Sequence, residues 1–250
     1  MSAAEAVAIF AAGGAAGTVN TIVGSGTLIT FPVLLAFGYS PVTANISNTI
    51  GLVPGSISGA HGYRAELAGQ GRRALGLGIA SAAGGITGAL LLLALPASAF
   101  KAIVPAFIAA ALVLVVIQPW LTRRLAGRHE HPLGARGALP LGLFTVGIYG
   151  GYFGAAQGIL MLSLLALAST DGLQRINGLK NVLAGLTNLV AGLVFVIAAR
   201  HVSWAVAGLL AGGSVLGGQL GAGIGRRLSP PVLRGAIVVV GVAAIVKLTV

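Results

Sequence analysis

The sequence lacks cysteine and has few charged residues. None of its 250 residues is a cysteine, and charged residues make up 8% of the chain. The first absence excludes disulfide bridges and thiolate chemistry. The second is incompatible with a water-soluble domain, in which about 25% of residues are charged. Because 56% of the residues are hydrophobic, we expect the chain to lie in a lipid bilayer.

Carboxylates are absent from the apolar segments. The four acidic residues, Glu5, Glu66, Glu130 and Asp171, lie in loops or at the N-terminus. A buried carboxylate that relays protons or binds sodium is therefore not expected. The four histidines, His61, His129, His131 and His201, also lie in loops or at the membrane edge, and we interpret them as solvated residues rather than metal ligands. With no nucleotide-binding loop and no nucleophile–base set, the sequence predicts no enzyme, no metal and no cofactor.

Ten apolar segments make up most of the chain, and most are long enough to cross a bilayer, which takes about 20 residues. They cover approximately residues 6–22, 26–38, 42–60, 74–94, 100–120, 138–155, 157–169, 176–199, 203–224 and 232–248. Segments 26–38 and 157–169 are too short to span alone. Each follows a glycine-rich break, so we expect each to pair with the segment before it. The predicted fold class is an all-α polytopic membrane protein.

The net charge of +11 is interpreted as basic cytoplasmic loops rather than as a nucleic-acid surface. If each short segment forms a hairpin with its predecessor, eleven basic residues lie on one side of the membrane and three on the other. If each pair instead crosses once, the division is nine to five. The positive-inside rule favours hairpins, with the N-terminus outside and loops 61–73 and 122–136 in the cytoplasm. The single-crossing alternative stays open.

The two halves of the chain repeat each other. The motif GGITGA at Gly84–Ala89 matches GGQLGA at Gly217–Ala222 with a shift of 133 residues, and Asn48 matches Asn181 with the same shift. Glycines four apart let helices approach closely, so we predict that both motifs serve helix packing. A hairpin plus three spans crosses the membrane an odd number of times. We therefore predict inverted repeats, with a first repeat at 1–121, a cytoplasmic linker at 122–137 and a second repeat at 138–250.

Two glycine-rich breaks are the first candidate site residues. They are GSGT at Gly24–Thr27 and GAAQG at Gly154–Gly158. The N–H groups at the start of a half-helix after such a break carry partial positive charge and attract anions. The alternative for a single break is a kink packed through small residues. Two breaks at matched positions of a repeat favour a binding site near the membrane midplane.

Two polar clusters follow the breaks. Asn45 and Asn48 lie in the first half, and Asn177, Lys180 and Asn181 in the second. Their spacing of three and four places each cluster on one helical face. Amide groups donate hydrogen bonds to oxyanions, and a lysine supplies positive charge. The alternatives are hydrogen bonds between helices, or extension of Lys180 to the membrane surface. Asn20, Thr21 and Asn188 are secondary candidates.

The segments ITFPVLL and ANISN, with their counterparts GAAQGILMLSLL and INGLKN, give the chain a resemblance to a known family. It resembles the sulfite exporter TauE/SafE family of membrane permeases over about residues 8–248. The resemblance implies transport of sulfur-containing anions, namely sulfite, sulfonates such as sulfoacetate, or related oxyanions, in a bacterial inner membrane. The second half of the chain departs from this pattern in two ways: it has Ser163 where the first half has Pro32, and its break, GAAQG, is poor in glycine.

Together these observations predict a secondary transporter of small sulfur-containing anions that works by alternating access. The alternative is an anion channel, or a permease for another small organic anion. The predicted substrate-binding residues are Gly24, Ser25, Gly26, Thr27, Asn45, Asn48, Gln157, Gly158, Asn177, Lys180 and Asn181. The expected partners are the anion and the lipid bilayer, without nucleic acid. A homodimer is compatible with the sequence.

Overall fold

The computed structural model describes residues 1–126, 138–199, 201–224 and the isolated positions 235, 238, 239 and 242. Within these residues the regular secondary structure is α-helix, joined by turns. The helices are α1 (Ala3–Ile22), α2 (Thr27–Ala36), α3 (Pro41–Gly62), α4 (Gly71–Ala94), α5 (Ala97–Ala126), α6 (Ala138–Tyr152), α7 (Gln157–Leu167), α8 (Leu173–Ala198) and α9 (Trp204–Ile224). They follow the first nine apolar segments closely. The tenth segment, 232–248, and the linker, 122–137, lie largely outside the described residues.

Long apolar helices place the chain in a membrane. In the described ranges, α4, α8 and α9, together with residues 97–120 of α5, are long and apolar enough to cross a bilayer. Helices α2, α6 and α7 are apolar but shorter. The predicted fold class is confirmed to this extent: the chain is an all-helical, multi-pass membrane protein.

Both breaks end the preceding helix in the same way. The N–H of Gly24 donates to the carbonyl of Val19, and the N–H of Gly154 donates to the carbonyl of Tyr149. Both glycines have positive φ, 86° and 77°, a conformation that glycine adopts without a Cβ clash and that commonly ends helices. The second break needs a further left-handed residue, and Ala156 supplies it with φ 60°. The break is therefore retained although its sequence is poorer in glycine.

After the second break the chain turns back along the helix that it has just left. A Cβ atom on Gly142, near the start of α6, would lie 3.1 Å from the side chain of Leu164, near the end of α7. Helices α6 and α7 therefore run side by side in opposite directions. In the first half, a Cβ atom on Gly26 would lie 2.4 Å from the carbonyl oxygen of Ala16 in α1.

The helix pairs that join the two halves of the chain form two similar sets. Helix α1 packs on α9 and α6 packs on α4, while α3 packs on α9 and α8 packs on α4. The approach is close enough to require glycine. A Cβ atom on Gly84 would lie 2.1 Å from the carbonyl oxygen of Phe144, and one on Gly217 would lie 2.0 Å from that of Gly14. The predicted packing role of GGITGA and GGQLGA is confirmed.

Aromatic side chains join the first hairpin to the second break. The ring of Phe31 in α2 contacts the ring of Phe153 edge to face, with centroids 5.1 Å apart. Phe100 in α5 contacts both rings. All three side chains are buried. The two breaks are thus held against a common apolar cluster.

Candidate functional site

The two breaks touch each other inside the protein. The backbone N–H of Gly158 donates to the carbonyl oxygen of Gly24 over 3.1 Å. A Cβ atom on Gly24 would lie 2.4 Å from the Cα atom of Gly158, and one on Gly158 would lie 2.5 Å from the Cα atom of Gly24. This contact between backbones brings the start of α2 and the start of α7 to the same place.

The polar cluster of α8 is directed at the end of α1. Lys180 donates from Nζ to the carbonyl oxygens of Asn20, over 3.0 Å, and Thr21, over 3.3 Å. The side-chain amides of Asn181 and Asn177 donate to the same Thr21 oxygen, over 3.1 and 3.3 Å. The predicted common face of the three residues is therefore confirmed. Their target, the partly negative C-terminal end of a helix, suits a cation and two amide donors.

Lys180 is fully buried, with 0% of its surface exposed. This burial excludes the alternative in which its side chain extends to the membrane surface, and its bonds to α1 show that it joins two helices. The ion pairs found among the described residues join Asp171 to Arg73 and Arg175, so Lys180 has no carboxylate partner within that part of the chain. Its charge is stabilised by neutral oxygens alone.

The second break receives a donor from the first half in return. The side-chain amide of Asn45 in α3 donates to the carbonyl oxygen of Tyr152 over 2.9 Å, at the end of α6. Thr21 and Tyr152 both lie in the last turn of the helix before a break. Each half of the chain therefore supplies a donor to the helix end of the other half, and among the described residues a lysine donates to the first helix end and a neutral amide to the second.

Asn48 and Gln157 form hydrogen bonds next to the two breaks. Asn48 accepts a hydrogen bond from the hydroxyl of Thr30 and donates to that of Thr27 over 3.2 Å, so it holds the first turn of α2. Gln157 donates to the carbonyl oxygen of Ala184 over 3.5 Å, and its side chain fills the space beside Gly150. Both side chains are buried.

Several buried donors at the start of α2 are unused. The backbone N–H groups of Ser25, Gly26 and Thr27 donate to no group within the described residues, and no side chain caps this helix end. The hydroxyl of Ser25 also lacks a partner there. Buried polar groups are nearly always hydrogen-bonded in proteins, so four adjacent unused groups indicate a place for a ligand. Donors at a helix N-terminus select an anion.

Comparison with known proteins shows the family of the chain. The model of the family described as "Sulfite exporter TauE/SafE" matches residues 9–248. The chain belongs to this family. It is 28% identical to the "Probable membrane transporter protein ORF9" of Sinorhizobium sp over 242 residues, which cover 96% of this chain and 90% of that protein. It is 26% identical to the "Probable membrane transporter protein YfcA" of Escherichia coli K12 over 237 residues, covering 93% and 85%. No solved structure matches the chain.

This TauE/SafE protein has two cavities at the start of α3. Their volumes are about 350 and about 460 Å³, and both are lined by Thr43 and His201. Ser203 and Trp204 line the first, and Ile46 lines the second. The cavities lie one helical turn or less from Asn45. The sequence prediction treated His201 only as a residue of the membrane edge and did not find this opening.

At the N-terminal end of α8 lies a polar cluster, here called the Asp171 cluster, of Arg73, Ser169, Asp171 and Arg175. Arg73 donates to Asp171 over 2.5 Å and to Ser169 over 3.2 Å, and Arg175 lies 3.6 Å from the Asp171 carboxylate. The hydrogen bond from Ser169 and the charge of Arg73 hold the pKa of Asp171 below its ordinary value. The cluster ties the start of α4 to the loop between α7 and α8.

Sequence reasoning ranked two residues too low. Asn20 and Thr21 were secondary candidates because of their side chains, whereas it is their carbonyl oxygens that receive Lys180. Tyr63, whose hydroxyl accepts from Asn177 over 3.0 Å, was not a candidate at all.

Proposed function

We propose that the chain is a secondary transporter of small sulfur-containing oxyanions, with sulfite and organosulfonates such as sulfoacetate as the substrates to test. The observation that carries the proposal is the group of unused donors at Ser25, Gly26 and Thr27. Lys180, which has no carboxylate partner among the described residues, binds the carbonyl oxygen of Asn20, and the side chain of Asn20 lies against Gly26. Sulfite and sulfonate groups present three oxygens, which several convergent donors can bind together.

The eleven predicted site residues have different roles in this proposal. Ser25, Gly26 and Thr27 donate directly to the anion. Lys180 supplies the positive charge, with Asn177 and Asn181 beside it on the same helix end. Asn45, Asn48 and Gln157 hold the broken helices in place, and Gly24 and Gly158 allow the breaks to meet.

Alternating access between inverted repeats completes the proposal. The matched packing of α1 on α9 and α6 on α4 supports two repeats of a re-entrant hairpin followed by three spans, 1–121 and 138–250, joined by the linker 122–137. The cavities at one end of α8 and the Asp171 cluster at the other support a site that is reached from one side at a time. Rocking of the repeats against each other would break the Asp171 cluster and close the cavities.

The orientation is proposed from charge. Basic residues dominate the loops at 61–73 and 122–136, which supports a cytoplasmic position for them and an external N-terminus. The membrane is then the inner membrane of a bacterium. The site as proposed is formed within one chain, so a homodimer, if formed, is not needed for binding.

The proposal is tested with purified protein in liposomes, by measuring uptake of sulfite and sulfoacetate against concentration. A transporter saturates, whereas flux that rises in proportion to concentration would show the anion channel. If neither anion moves while another small organic anion does, the substrate class is wrong and the permease alternative holds.

A second measurement tests the role of the buried charge. Lys180→Met is expected to weaken anion binding about 10- to 100-fold, because a hydrogen bond to a charged group contributes about 1.5–3 kcal/mol. Lys101→Met is the matched control, since it removes one positive charge from an exposed residue. Equal affinities for the two variants would remove Lys180 from the site.

A further inference from the structure

The end of α1 has the composition of a cation site. Carbonyl oxygens at the C-terminal end of a broken helix carry partial negative charge. In transporters built from inverted repeats, such oxygens coordinate the sodium ion that travels with the substrate. Here the oxygens of Asn20 and Thr21 are both within 3.3 Å of one cationic group, which is the ammonium of Lys180.

The same polar cluster of α8 contains an unused acceptor. The side-chain oxygen of Asn177 is buried and has no hydrogen-bond partner within the described part of the chain, while the amide nitrogen of the same side chain donates to Thr21. Two backbone carbonyls and an amide oxygen are ligands that a hard monovalent or divalent cation accepts. At the second break, the carbonyl oxygen of Tyr152 in the last turn of α6 accepts a hydrogen bond from one neutral side chain of the described residues, that of Asn45.

We propose that the carbonyl oxygens of Asn20 and Thr21 form a site for a monovalent cation, and that the ammonium group of Lys180 fills it permanently. The lysine then does the work of a co-transported metal ion. It supplies the positive charge beside the anion site and holds the end of α1 in place without being released. This inference rests on the proposed function, and it predicts that anion transport does not depend on sodium.

The first test uses the unmodified protein. Sulfoacetate uptake into liposomes is measured with sodium, potassium or choline as the monovalent cation on both sides. Rates that agree within about twofold in the three salts support a built-in cation. A rate at least fivefold higher in sodium overturns the proposal, because a separate sodium ion would then be required.

The second test removes the ammonium group of Lys180 from the site. Purified Lys180→Ala is heated in choline chloride, sodium chloride or methylammonium chloride, with Lys101→Ala as the matched control. We expect methylammonium, a free copy of the lysine head group, to raise the Tm of Lys180→Ala by at least about 2 °C over choline, because a ligand that binds only the folded state stabilises it. Lys101→Ala should show no difference between the two salts. Equal shifts in both variants would overturn the proposal.

The cation-site proposal and the proposed function can fail separately in these tests. If the protein moves none of the anions, the transport proposal fails, but the thermal measurement still decides whether the vacated carbonyls bind a cation. If Lys180→Ala cannot be purified, the ion-replacement experiment on the unmodified protein decides alone. Recovery of anion uptake in Lys180→Ala by methylammonium, at least fivefold over choline, would support both proposals together.

Discussion

The first and second breaks share a backbone design but differ in charge. Each ends its helix at a glycine with positive φ, and each helix end accepts hydrogen bonds from the opposite half. The first receives Lys180 and two amides, whereas the second receives Asn45 alone. Two breaks of similar backbone geometry can therefore differ in the charge of the side chains that bind them.

The breaks also differ in which helix supplies the side chain that lies against a glycine of the turn. At the first break, Asn20 at the end of α1 lies against Gly26. At the second, Gln157 at the start of α7 lies against Gly150 and Gly154. The side chain thus comes from the helix before the first break and from the helix after the second. In each case the residue that it contacts, on the other side of the break, is a glycine.

The largest expected effect comes from separating the breaks. Gly24→Ala should lower stability by about 2–5 kcal/mol or prevent folding, because overpacking costs about 1–3 kcal/mol and a left-handed alanine about 1–2 kcal/mol more. The added Cβ would meet the backbone of Gly158, which has no side chain to move away. Thermal unfolding in detergent measures the effect.

Gly38→Ala is the matched control for this prediction. Gly38 has φ 85°, almost the same as Gly24, but a Cβ atom there would meet nothing within 4 Å. Its substitution should cost only the backbone strain, about 1–2 kcal/mol. If Gly24→Ala and Gly38→Ala lower the Tm equally, the contact between the breaks is not important for stability.

An intermediate effect on stability is expected from removing a single amide donor at either break. Asn45→Ala removes the one side-chain donor on Tyr152, whereas Asn181→Ala leaves Thr21 with Lys180 and Asn177. An unsatisfied buried carbonyl costs about 1–3 kcal/mol. We therefore expect Asn45→Ala to lower the free energy of unfolding by that amount and Asn181→Ala by less than about 1 kcal/mol. The reverse order would contradict the assignment of donors to breaks.

The smallest effect concerns the loops that follow the two hairpins. The loop after α2, residues 37–40, has no charged residue, whereas the loop after α7 holds Asp171. Because the folded-state pKa of Asp171 lies below its unfolded value of 3.8, its stabilisation is present above that pH and is lost as the pH falls through the lower folded-state pKa. The pair with Arg73 is partly exposed, so Asp171→Asn should cost under about 1 kcal/mol at neutral pH.

A pH series checks this prediction. The Tm difference between the unmodified protein and Asp171→Asn should be constant well above pH 3.8 and should shrink as the pH falls below it. Arg73→Gln serves as the partner variant, since the double variant should lose less than the sum of the two single changes. A difference that grows with falling pH would contradict the ion pair.

Sequence reasoning located the helices and breaks well for a physical reason. Apolar runs of bilayer length and glycine-rich interruptions are local signals, and the structure ends α1 and α6 within a few residues of the predicted breaks. The common face of Asn177, Lys180 and Asn181 also followed from spacing alone. Their target could not be predicted, because a free backbone carbonyl has no signature in the sequence and exists only where a helix ends against another element.

The amino-acid sequence by itself determined that this chain is an all-helical membrane protein of the TauE/SafE family and where its helices are interrupted. Those properties depend on composition and on residues a few positions apart. Only the tertiary structure decided that each half satisfies the helix end of the other, across 107 residues for Asn45 and 160 for Lys180. Such pairings depend on how the helices pack, because a hydrogen bond forms only when packing brings donor and acceptor within about 3 Å.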